Sequence, residues 1–143
     1  SFKMIAIPDR NKSYNERIKQ EADKISNLEY KNFVPYKEID EYFNEALLFV
    51  NTSSHEGFPN SFLQAWSNKT PVVSLEIDPD EVICKKKFGF HSKTFEQMVR
   101  DVKLLLKNEI LRREIGENAR KYVEREHEIK KVAQQYVELF QNL

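Results

Sequence analysis

The chain has 143 residues, enough for one core of ordinary size and too few for a two-domain enzyme. Its 23 basic and 23 acidic side chains balance, so no net field favours nucleic acid or an anionic membrane over a neutral small molecule. The single cysteine, Cys84, excludes an intrachain disulfide, and neither a signal-like nor a membrane-length apolar run is present, which fits a cytoplasmic domain.

The opening stretch SFKMIAI already reads as a buried strand without a lead-in loop, so the chain is expected to be truncated at its N-terminus or cut from a larger protein. Pro8-Asp9 closes that strand, and Ser13 and Glu16 have the spacing of a capping box, which predicts a helix from about Tyr14 to Ser26. Leu28 to Val34 reads as a second strand and Tyr36 to Asn44 as a short helix with Ile39, Tyr42 and Phe43 on one face. Ala46 to Val50 and Pro71 to Leu75 are unbroken apolar runs, the pattern of strands covered on both faces in a parallel sheet. Between them Pro59 or Asn60 opens a helix to about Ser67, with Phe62, Leu63, Ala65 and Trp66 spaced to pack on the sheet.

Beyond the Asp78-Pro79-Asp80 turn a short edge strand is expected near Phe88 to His91, and Thr94 to Gln97 repeats the capping pattern. The remainder reads as helical: Val99, Val102, Leu105 and Leu106 mark one face, Leu111, Ile115, Ala119 and Tyr122 a second. A last helix from about Glu128 to Phe140 carries Val132, Tyr136, Val137 and Phe140. Gly57, Gly89 and Gly116 are read as turn or close-approach positions outside helix interiors. The βαβαβαβ order predicts one α/β domain over residues 1–143, a Rossmann-like doubly wound parallel sheet with helices on both faces and a helical C-terminus.

In such a sheet, ligands bind beyond the carboxyl ends of the strands, and the loop after Val50 is the most informative of these. It holds Ser53, Ser54, Glu56 and Gly57 and runs into a helix start at Asn60 and Ser61. Free N–H groups at a helix start favour a diphosphate, and Gly57 lets the main chain approach it. Glu56 would be repelled by phosphate unless it reaches past it to accept hydrogen bonds from sugar hydroxyls, a pairing that suits a nucleotide sugar.

The segment ALLFVNTSSHEGFPNSFLQAWSNKTPVV, Ala46 to Val73, closely resembles the donor-site signature of retaining glycosyltransferases of family four, which have the GT-B fold of two Rossmann-like domains. FKMIAI, NFVPY at Asn32 to Tyr36, the turn around Gly89 and LRREIGENARKYVEREH at Leu111 to His127 extend the resemblance over most of the chain. It implies the C-terminal, donor-binding half of such an enzyme, lacking its first strand-helix unit. It also implies that Glu56 contacts the donor sugar as the catalytic-site acid and that main-chain groups of Gly57, Phe58, Asn60 and Ser61 line the sugar and diphosphate. Gln64 would face the ribose, where the family has a second glutamate, and Val34 and Pro35 would border the nucleobase. The resemblance implies a UDP- or GDP-type sugar donor and no cofactor; no metal is expected, since no clustered Asp, His and Cys pattern is visible, and Cys84 reads as inert in a polar loop.

The family's arginine and lysine that neutralise the diphosphate lie in a unit that would precede Phe2; Arg10 and Lys12 match a different loop. With that pair and the N-terminal acceptor domain outside the chain, this polypeptide alone is expected not to turn over. The alternative is a non-catalytic nucleotide-sugar-binding or partner module, which Gln64 favours and the Glu56 loop opposes. Trp66 and His127 read as structural. Lys85-Lys86-Lys87 reads as a solvated face, or as a contact to anionic head groups at the inner membrane face in a peripherally associated polysaccharide or glycoconjugate enzyme. Sequons at Asn11, Asn51 and Asn68 read as chance matches.

Overall fold

The computed structural model describes residues 1–6 and 10–142, so the end of the first expected strand at Ile7 and the Pro8-Asp9 turn lie outside the described residues. The chain divides into two compact units, Ser1–Ile39 and Asp40–Leu143.

The first unit holds strand β1 (Phe2–Ile5), helix α1 (Lys12–Asp23) and strand β2 (Leu28–Lys31). β1 and β2 pair in parallel, from Phe2 opposite Leu28 to Ile5 opposite Lys31. The helix is capped two residues before the expected capping box. The Asn11 carboxamide oxygen accepts from the backbone N–H of Ser13 at 3.1 Å and of Tyr14 at 3.3 Å, so Asn11 is the cap and Ser13 already lies inside α1. β2 is also shorter than expected. Pro35 has no N–H for a ladder and disfavours helical geometry at Val34, so the segment after Lys31 runs on as loop.

Helix α2 (Ile39–Glu45) spans the boundary, and the second unit is built on strands β3 (Phe49–Asn51), β4 (Val72–Ser74) and β5 (Gly89–His91), parallel in the order β3-β4-β5. The expected strand from Ala46 loses its first residues because Ala46 still donates to the Phe43 carbonyl, closing the last turn of α2. In-register partners of a parallel sheet share a face, and neighbours along a strand alternate. Val50, Val73 and Phe90 therefore share one face. Together with Met98 and Leu105 of α5 (Phe95–Lys107) and Leu111 and Ile115 of α6 (Glu109–Glu126), they form one hydrophobic core cluster. Phe49 and Val72 share the other face, where Phe49 meets Phe62 of α3 (Asn60–Ser67) with ring centroids 6.4 Å apart. All three residues of β4 are fully buried, as the unbroken apolar run required of a central strand.

Two glycines hold elements close. A Cβ on Gly89 would lie 1.7 Å from the Val72 carbonyl oxygen, so β5 reaches β4 only through glycine. Gly116 sits in the interior of α6, contrary to the expectation that it lies outside a helix. The reason is helix packing: a Cβ there would lie 2.1 Å from the Lys69 carbonyl oxygen. α6 secures the end of α3 further by the Lys69–Glu117 ion pair at 2.7 Å and by Arg120, which donates to the Ser67 carbonyl, one of the acceptors a helix leaves unpaired at its C-terminus.

Helix α4 (Val82–Lys86) follows a 3-10 turn, Pro79–Glu81, in which Asp80 and Glu81 adopt left-handed backbone angles, φ 53° and 57°. The expected cap at Thr94 forms, its hydroxyl accepting from Gln97 N–H at 3.2 Å. Helix α7 (Ile129–Gln141) buries none of its residues, and Ile129, Tyr136, Val137, Leu139 and Phe140 are exposed. Among the described residues no helix is long and apolar enough to cross a membrane.

Candidate functional site

The loop after β3 is anchored at both ends and open in the middle. At its start the buried Asn51 accepts from Ser53 N–H at 3.1 Å through its side-chain oxygen. At its end the Phe58 ring, itself still exposed, lies with its centroid 6.1 Å from that of Trp66 and 5.7 Å from that of His127. His127 in turn lies 3.1 Å from the Tyr122 hydroxyl through Nε2, and Trp66 is fully buried, so Trp66 and His127 are structural as expected. Phe58 thus faces the aromatic cluster with its side chain, which leaves its main chain for any ligand. Between the anchors Ser54, His55, Glu56 and Gly57 are exposed, with the Ser54 hydroxyl 2.9 Å from His55 Nδ1.

Gly57 is unlike the other two glycines. A Cβ built on it meets nothing within 4 Å, and its φ lies outside the left-handed range, so neither packing nor backbone geometry within the chain calls for glycine. The helix that follows has no side-chain cap of its own. Side chains cap α1, α5, α6 and α7, through Asn11, Thr94, Asn108 and Glu128, whereas α3 begins after Pro59, which makes no side-chain cap. The helix start therefore keeps donors at Asn60 and Ser61 and the positive end of its dipole, beside an exposed carboxylate and an unencumbered glycine. Gln64 lies one turn beyond Asn60 on the same helix face and is half-buried.

The family model of the glycosyl transferases group 1 matches residues 7–122. The chain belongs to this family. Among solved structures it is similar to the C-terminal domain of a glycosyl transferase group 1 family protein, LpcC, from Francisella tularensis, at 20% identity and a TM-score of 0.71, covering 85% of this chain and 66% of that one. It is also similar to a mutant TarM of S. aureus in complex with fondaparinux, alpha-GlcNAc-glycerol and UDP, at 22% identity and a TM-score of 0.79, covering 98% of this chain and 29% of that one. No curated protein matches the chain. The glycosyltransferase family and the GT-B C-terminal fold are as the sequence led us to expect, and this group 1 chain spans under two thirds of the first neighbour's length and under a third of the second's.

Of the other expected positions, Val34 is buried and Pro35 exposed, both in the unit Ser1–Ile39. Arg10 and Lys12 are exposed around the Asn11 cap of α1.

Sequence reasoning missed two groupings. Asn51 and Ser74, register partners at the ends of β3 and β4, are buried with Asn51 Nδ2 and Ser74 Oγ unpartnered among the described residues; nothing in the linear pattern brings residues so far apart together. The second corrects the reading of Cys84 as a loop residue and of Asp, His and Cys as dispersed. Cys84 lies on α4, and one ligand atom each of Asp78, Cys84 and His91 falls within 4.8 Å of the others. Partial burial of the sulfur and the Asp78 carboxylate beside it push the Cys84 thiol up from its ordinary value.

Proposed function

We propose that this group 1 domain is the donor-binding half of a retaining glycosyltransferase, transferring a sugar from a nucleoside diphosphate sugar to an acceptor hydroxyl in polysaccharide or glycoconjugate synthesis. The observation that carries the reading is the side-chain-uncapped start of α3 next to Gly57, the glycine that the chain's own packing does not explain. A diphosphate lying against the main chain from Gly57 to Ser61 accounts for both. It would accept from the free N–H groups, gain from the helix dipole and need the space that a Cβ would take.

Glu56, exposed at the tip of the loop, then accepts hydrogen bonds from donor-sugar hydroxyls. Asn60 and Ser61 add side-chain donors, and Gln64 offers its amide oxygen to the ribose. The chemical demand at this half of the enzyme is the charge that develops on the departing diphosphate, which preoriented N–H groups stabilise without reorganising. The acceptor, and the cations that complete neutralisation, belong to the parts of a GT-B enzyme outside this chain.

Calorimetric titration of UDP- and GDP-sugars into the wild-type chain and into Glu56→Ala tests the assignment. One donor type is expected to bind weakly to the wild type and at least about tenfold more weakly to the variant, about 1.4 kcal/mol. Equal binding to both proteins would remove Glu56 from the sugar contact. Binding without turnover when the chain is joined to an acceptor domain would favour the non-catalytic module, to which Gln64 in place of an acid already points.

A further inference from the structure

A second constellation lies at the carboxyl end of β4 and β5. Asp78 follows β4, Cys84 sits on α4 and His91 ends β5, so three ligand types arrive from three different elements. The Asp78 side chain is 2% exposed and the His91 side chain 18%, and His91 is the only ion-pair partner of Asp78 among the described residues. Their Nδ1–Oδ2 distance, 3.7 Å, is beyond hydrogen-bond range. A buried carboxylate thus faces an imidazole nitrogen without a direct hydrogen bond between them.

We propose that Asp78, Cys84 and His91 form a binding site for a zinc-class divalent cation. Oxygen, sulfur and nitrogen are the donors such a borderline-soft ion takes, at roughly 2.0–2.3 Å, which sets tetrahedral ligand atoms roughly 3.3–3.6 Å apart. Asp78 and His91 already stand at that spacing within a few tenths of an ångström, and the widest separation in the trio, at most 4.8 Å, closes by about 1 Å of side-chain rotation.

The carboxylate is oriented before any ion arrives. Asp78 Oδ1 accepts from Ile83 N–H at 2.7 Å and Oδ2 from Cys84 N–H at 3.3 Å, the outer-shell arrangement that aims a ligand. A carboxylate has about four acceptor positions, so these two bonds leave capacity for a metal. A thiolate and a carboxylate neutralise the dication, His91 completes a three-ligand set, and water or an exogenous group takes the fourth position. The site is independent of the donor-binding reading, since it shares no residue with it.

Cobalt(II) titration of the reduced, metal-free 143-residue chain is the test, followed by displacement with zinc(II). Cys84 is the only cysteine, so a thiolate-to-cobalt absorption band can arise nowhere else. One equivalent of cobalt is expected, with that band and the intense visible absorption of tetrahedral cobalt. Zinc should raise the melting temperature of the wild type and leave that of Cys84→Ser unmoved. The band should vanish in Cys84→Ser, and His91→Gln should weaken binding beyond the ~10–100-fold typical of outer-shell changes. Absence of a saturable band in the wild type, or unchanged affinity in His91→Gln, would overturn the proposal. Cys84 is exposed, so Cys84→Ser keeps the fold and separates loss of the ligand from loss of structure.

Discussion

Gly116 of α6 lies against the main chain of Lys69, so close that its absent Cβ would stand 2.1 Å from the Lys69 carbonyl oxygen. In an open helix interior, alanine in place of glycine stabilises by about 1 kcal/mol. Here the neighbour is backbone, held in a left-handed turn at Lys69, φ 58°, and it cannot rotate away. Gly116→Ala is therefore expected to destabilise by about 1–3 kcal/mol, the cost of overpacking. Urea unfolding decides by sign, since a stabilised variant would mean that α3 and α6 do not meet at this point.

Gly57→Ala should do the opposite. With nothing within 4 Å of the added methyl and no left-handed backbone to strain, unfolding stability should stay within about 0.5 kcal/mol of wild type. Affinity for the donor nucleotide sugar should fall by about tenfold or more, about 1.4 kcal/mol. A variant that binds as well as wild type would show that no ligand approaches the loop at this residue.

Asp101 is buried in a short polar chain. Ser92 Oγ donates to its Oδ2 and Gln97 Nε2 to its Oδ1, both at 2.7 Å, while Arg100 donates to Gln97 Oε1 and so orients that amide. Asp101→Ala leaves the buried Ser92 hydroxyl and the Gln97 amide without their acceptor and should cost about 1–3 kcal/mol. Asp101→Asn should cost under about 1 kcal/mol, because the Ser92 hydroxyl can turn to accept from the new amide. Chemical denaturation of both variants checks the pair; equal losses would show that charge, not hydrogen-bond complementarity, holds this site.

Capping of α1 separates two neighbouring residues. Asn11→Ala should cost about 1 kcal/mol, whereas Ser13→Ala, inside the helix, should be neutral or slightly favourable. Amide hydrogen exchange of the α1 segment reports the difference locally, and a larger loss at Ser13 would restore the capping box there.

Much of this molecule was legible in its sequence, for physical reasons that differ by element. The unbroken apolar run at β4 and the aromatic spacing of α3 announce burial directly, because a central strand and a packed helix must satisfy those periods wherever they lie. Thr94 was readable because an N-cap is a local interaction. Asn11 was overlooked for the same locality, since Ser13 and Glu16 offered a second cap pattern two residues on and only the backbone geometry chooses between them. Gly116 was misread because its partner, Lys69, is remote in sequence and leaves no trace beside it. Asp78, Cys84 and His91 were invisible as a group because they lie along one β4–β5 connection that folds back on itself, at spacings that match no short metal motif, whereas Asn51 and Ser74 meet only through parallel register. The Glu56–Ser61 loop stood out because a strand-loop-helix site is contiguous.

Trp66 has one more consequence. It is the only tryptophan in the chain, fully buried, and its ring neighbours include Phe58 from the loop, Phe88 from the approach to β5 and Tyr122 from α6. Its indole N–H has no partner among the described residues, so its emission is governed by these rings and by their exclusion of solvent. The domain therefore carries a built-in optical reporter beneath its candidate ligand loop, and any rearrangement that lifts Phe58 is written into the colour and intensity of a single fluorophore.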